Sequence, residues 1–188
     1  MFRFDSQTYG PAVAELYDCH ELCPLGPGSP NDAARGRLSS LGVEAVFHEK
    51  SITDREMADC CLSGLWLLHN FLDESHEISQ SIHTTSGSYW HGIMHRREPD
   101  FSNAKYWFRQ VGDHAIHPAL ADSARQLAAQ SPTDESAELS DSWDAFSFVD
   151  LCENAIRGRS KHDQFCRDVA QLEWQLLFDY CYRNACEL

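Results

Sequence analysis

The chain has no long apolar run. Its longest, Leu65 to Leu68, is ended by His69 and Asn70 and is far too short to span a bilayer. The opening residues MFRFDSQTYG lack the apolar core of a signal peptide, so a soluble cytoplasmic protein is the expectation. Basic residues are scarce. Lys and Arg number 15 against 29 Asp and Glu, a formal charge of −14 that repels phosphate backbones and anionic membranes. The pattern therefore predicts no nucleic-acid and no membrane partner. CxxC is missing too. Cys19, Cys23, Cys60, Cys61, Cys152, Cys166, Cys181 and Cys186 contain no pair of pairs with zinc-ribbon spacing. Without a secretory signal they read as reduced thiols, and Cys19-His20-x2-Cys23 supplies at most part of a ligand set. No GxSxG, P-loop or dinucleotide glycine fingerprint occurs. Strand signals are poor as well, with little alternation and few β-branched residues.

What remains is helical. At 188 residues the chain fits one all-α domain, 1–188, long enough to bury a substantial core. Helical periodicity marks 11–22, 31–40, a helix from 54, a second through Ile82, 89–97 ended by Pro99, and 102–111 ended by Gly112. Thr53 with Glu56, Ser88 and Ser102 are the expected caps. Two strong helices come next: Ala145, Phe148, Val149, Cys152 and Ile156 stripe one, and Phe165, Val169, Leu172, Leu176 and Tyr180 the other, read as a structural lid. Residues 23–32 and 121–142 are rich in turn and polar residues and read as flexible connections. The expectation is a single-domain bundle of antiparallel helical hairpins with about seven helices.

Residues 88–112, SYWHGIMHRREPDFSNAKYWFRQVG, concentrate reactive side chains. His91 and His95 are i, i+4 and project from one face, a spacing that chelates metals, and Glu98 follows at i+7. Two imidazoles and a carboxylate suit a divalent ion with open positions. HGIMH is not HExxH, because Gly92 stands where the general base of the zinc peptidases belongs. On the preceding hairpin His69, Asp73 and His76 are i, i+4, i+7, a stripe able to confront His91 and His95. Metal candidates are thus His91, His95, Glu98, His69, Asp73 and His76, and candidates for an anionic ligand are Arg96, Arg97, Asp100 and Asn103. Three outcomes stay open: a buried polar network, a metal site, or a pocket for an anion or small molecule.

Gly64 and Gly92 lie 28 residues apart, each in the first helix of a hairpin, with Ser75 or His76 and Ala104 in the second. Gly92, Ala104 and Phe108 resemble the tetratricopeptide and Sel1-like pattern, although the period is shorter and other positions do not match. The segment YWHGIMHRREPDFSNAKYWFRQVGDH also resembles an uncharacterised family of bacterial and fungal proteins. That resemblance implies membership without an activity and transfers no site residues. Two functions are compatible with this reading. One is a small helical binding or scaffold module, for a small anionic ligand or a protein partner. The other is a metal-dependent, hydrolytic enzyme using His91, His95 and a carboxylate, with Arg96 or Arg97 stabilising an anionic substrate.

Overall fold

The computed structural model describes residues 2–48, 50–130 and 142–186. It contains a 3₁₀ turn at Ser6–Tyr9 and ten α-helices among the described residues. These are α1 (Pro11–Asp18), α2 (Asp32–Ser40), α3 (Val43–Phe47), α4 (Arg55–Leu68) and α5 (Leu72–Ser79). After them come α6 (Thr85–Arg97), α7 (Phe101–Val111), α8 (His117–Gln130), α9 (Ala145–Ile156) and α10 (Asp163–Ala185). The all-α reading holds, but ten helices replace the expected seven or so. Two segments account for part of the difference. Val43, Val46 and Phe47 bury one face of α3, and α8 buries a stripe of small residues, Leu120, Ala121, Ala124 and Ala128. Residues 121–130, expected to be a flexible connection, are therefore helix. Residues 131–141 lie outside the described residues.

Helix limits follow local chemistry, with other caps than expected. Asp54, not Thr53, accepts from Met57 N at 3.0 Å, while Glu56 accepts from His83 N and Thr53 donates to the Ala185 carbonyl. Thr84, not Ser88, caps α6 through Gly87 N, so the helix begins a turn earlier. Asp100, not Ser102, caps α7 through Asn103 N at 3.2 Å. Asn70, at φ +64°, turns the chain between α4 and α5, a left-handed conformation that Asn tolerates.

Helices α4/α5 and α6/α7 form adjacent antiparallel hairpins, with α5 and α4 both against α6. The repeated glycines make room for rings more than for backbones. A Cβ on Gly64 would sit 2.8 Å from the Trp90 ring, and one on Gly92 3.2 Å from Phe108. Small residues matter between α4 and α5, where Ser63 Oγ donates to the Ser75 carbonyl at 3.0 Å. Far from being a lid, α10 is the spine. It packs on α4, α8 and α9, and its 23 residues include buried groups on every side. Trp174 donates its indole N–H to the Gly64 carbonyl at 2.8 Å and stacks on Phe178. Phe4, Tyr9 and Tyr17 from the N-terminal segment close over these rings. A smaller apolar cluster forms where Phe148, Cys152, Cys166 and Val169 join α9 to α10.

Candidate functional site

Helix α6 presents its side chains to different neighbours and is buried along nearly its whole length. Toward α9 and α10, Arg96 reaches the Glu173 carboxylate in an ion pair with the two side chains 2% and 0% exposed. Tyr89 donates its hydroxyl to the other Glu173 oxygen at 3.0 Å, and the guanidinium stacks 4.6 Å from the Phe148 ring centroid. Burial alone would lower the Arg96 pKa, but the Glu173 charge outweighs it and holds the guanidinium protonated. Arg97 points elsewhere. Its Nε donates to the Gly26 carbonyl at 2.7 Å, and one terminal nitrogen donates to the Pro27 carbonyl and Asn70 Oδ1. Burial pushes its pKa down to about 10, still protonated at neutral pH. Both arginines are thus engaged within the fold, Arg96 by a carboxylate and Arg97 by the proline-rich loop.

Toward α5 and α7 the same helix carries His91 and His95. They meet His76 from α5, and one ligand nitrogen from each ring lies within 4.8 Å of the others. Ring centroids are 4.7 Å apart for His76–His91, 4.7 Å for His91–His95 and 5.4 Å for His76–His95. Trp107 from α7 stacks on His91 at 4.0 Å, forming one wall. His95 Nδ1 faces Glu98 Oε2 at 3.0 Å. A carboxylate only accepts, so that nitrogen carries the proton and Nε2 keeps a lone pair, which takes the Asn103 amide at 3.1 Å. His91 is 2% exposed, yet its Nδ1 has no hydrogen-bond partner. Burial, then the neighbouring His95 and His76 rings, pushes the His91 pKa down to about 4. Burial also lowers His95, against the pull of Glu98. Both rings are neutral at physiological pH.

The other expected candidates fall elsewhere. His69 ends α4 and binds Asn31 through Nδ1 at 3.1 Å, away from His91. Asp73 is exposed beside the Pro27–Phe71 cleft. The stripe His69-Asp73-His76 requires one continuous helix, and the turn at Asn70 breaks it. Asp100 is spent on capping α7, and Asn103 sits against His95. Sequence reasoning missed Glu173, a lone carboxylate flanked by Leu172 and Trp174, and did not single out Trp107 as part of the site. Of the other basic residues in 88–112, Lys105 pairs with Asp150 at 2.5 Å, and Arg109 reaches over Phe146.

No known protein family, curated protein or solved structure matches the chain. Among the described residues, no helix is long and apolar enough to cross a membrane.

Proposed function

We propose that this protein is a small helical binding module whose ligand is a divalent transition-metal ion held by His76, His91 and His95. The convergence of three imidazole nitrogens within 4.8 Å carries the reading. Imidazole suits zinc, copper, nickel and iron, with metal–nitrogen bonds of about 2.0–2.1 Å. Two nitrogens on one tetrahedral ion sit about 3.3 Å apart at that bond length. Closing the triad therefore takes about 1.5 Å, within reach of side-chain rotation at the half-buried His76, with the Asn103 amide giving up His95 Nε2 to the metal. The unpartnered His91 Nδ1 leaves room for a bond. Glu98 supplies what metal-bound histidines commonly have, a carboxylate on the remote ring nitrogen. Glu98 and Asp100 also raise the His95 proton affinity, a local potential that favours a cation.

Three protein ligands leave a position for water, which keeps a hydrolytic metal enzyme as the second reading. It is the weaker one, because Arg96 and Arg97 are turned away and provide no charge for an anionic substrate. Seven buried free thiols fit a reducing, cytoplasmic setting. The charge of −14 argues against nucleic-acid and membrane partners.

The test is metal analysis after chelation and reloading with zinc, on the wild type, His91→Ala and His76→Ala. Stoichiometric zinc in the wild type and its loss in both variants is the expected result. No uptake by the wild type, or full retention in both variants, overturns the proposal.

A further inference from the structure

Three helices meet at the histidine cluster, and α5 is the least firmly built of them. Thr84 caps α6 and Asp100 caps α7, but Phe71 at the start of α5 supplies no side-chain cap. Helix α5 has eight residues, too few to hold itself together in water, so its neighbours must hold it. Both ends are pinned. Phe71, just after the turn at Asn70, is 2% exposed, and Ile82 is 4% exposed. A Cβ on Gly87 would lie 2.5 Å from the Ile82 side chain, so the chain has no slack at that end. The flank toward α4 is fixed too, because Ser63 Oγ donates to the Ser75 carbonyl and meets the Ser75 hydroxyl at 2.9 Å.

The flank toward α6 is held differently. His76, half-buried, meets His91 and His95 through ring edges, at centroid distances of 4.7 and 5.4 Å. Asp73 and Glu77 on either side of it are exposed. Glu74 reaches Arg35 of α2 at 2.8 Å, but across the surface, where an ion pair contributes little. Helix α6 cannot yield, since it is buried along nearly its whole length, so closure on an ion falls on His76. An ion held by His91 and His95 alone would join two residues of one helix and tie nothing together. His76 turns the same ion into a bridge between α5 and α6.

We propose that α5 is a strap that the metal ion fastens to α6. With the ion bound, residues 72–81 cannot leave α6 without releasing it; without the ion they open independently of the rest of the fold. This rests on the triad being a metal site and adds that the ion governs a conformational equilibrium. An opening that breaks the site is suppressed by the factor by which free ion exceeds its dissociation constant, and a local opening elsewhere is untouched.

The experiment is amide hydrogen exchange on the full chain at short labelling times, which read local opening and not global unfolding. Chelator-treated protein is compared with protein in free zinc at about a hundredfold over its dissociation constant, and zinc content is measured on the same samples. Amides of 72–81 are expected to slow by up to about a hundredfold, while those of α9 keep their rate. In His76→Gln, which keeps bulk and polarity without an imidazole lone pair, zinc is expected to leave 72–81 unchanged. Stoichiometric zinc with less than about threefold slowing at 72–81, or with equal slowing in α9, overturns the strap and leaves the metal site standing. Slowing in His76→Gln as large as in the wild type also overturns it, since the ion would then act without the bridge. Absence of zinc uptake by the wild type removes the metal site and the strap together.

Discussion

Arg96 and His95 are neighbours in sequence, yet they belong to opposite kinds of polar site. The Arg96 side of α6 is closed electrostatically: cation and carboxylate neutralise each other and the Tyr89 hydroxyl shares the carboxylate, although the guanidinium Nη1 has no partner. The His95 side is open: three imidazoles crowd together, one nitrogen has no partner, and the outer carboxylate faces water. One helix thus separates a cation held by its counter-charge from a cluster of neutral rings that no charge in the chain engages to the same degree. Burial alone does not distinguish them, since Arg96 is 2% exposed and His91 also 2%. Counter-charge does. A buried cation with its counter-charge in place serves the fold, whereas converging neutral imidazoles offer lone pairs that a metal ion can take up.

The contrast can be broken from either side. Glu173→Leu should have the largest effect, about 3–5 kcal/mol lost in urea unfolding, because it strands a buried guanidinium and the Tyr89 hydroxyl. A loss below about 1 kcal/mol would show that the closed side is not closed. Next comes metal: zinc at a hundredfold excess over its dissociation constant should stabilise the wild type by about 2.7 kcal/mol and His91→Ala not at all. Equal stabilisation of both would place zinc elsewhere.

Acid should act on the open side. His91 titrates near 4 in the folded chain against 6.5 unfolded, so between these values the unfolded state binds more protons. Stability is therefore fully present above pH 6.5, falls as the pH drops toward 4, and levels off below it. His69 and His114 are also lowered to about 4 and add to the same slope. Replacing His91 with Phe should remove on the order of 3 kcal/mol of the acid loss, at about 1.4 kcal/mol per unit over the shift from 6.5 to about 4. An unchanged pH profile in His91→Phe would refute this. The smallest effect is expected from Glu98→Gln. It should weaken zinc about tenfold while leaving the metal-free unfolding midpoint within experimental error, as an outer partner of a ligand does.

The helical class and the hairpins were legible because their determinants are local: Pro99 stops α6, Gly112 at φ +59° ends α7, and apolar spacing marks α9 and α10. His91 and His95 were legible for the same reason, since i, i+4 alone puts two rings on one face. Cap choice was less legible. Thr53 and Asp54, or Asp100 and Ser102, are equally competent by type, and the entry path of the chain decides between them. The role of Arg96 was not legible at all, because its partner lies 77 residues away. His69 was misplaced through one turn. The break at Asn70 rotates α5 relative to α4, so only His76 of the expected stripe reaches the cluster. Helix α8 was hidden because its buried face is alanine and serine, which carry little hydrophobic signal.

The distance between Arg96 and Glu173 also has a meaning in time. Arg96 leaves the ribosome 77 residues before the carboxylate that neutralises it, and Tyr9 precedes its acceptor Asp179 by 170. Until α10 emerges, the hairpins α4/α5 and α6/α7 have neither their spine nor the counter-charge their interior needs. At about 5–20 residues per second, that leaves an intermediate lasting seconds, with apolar faces exposed and a guanidinium still in water. Helix α10 is thus the one that commits the others, and Arg96 has no counter-charge to be buried against until it has been made.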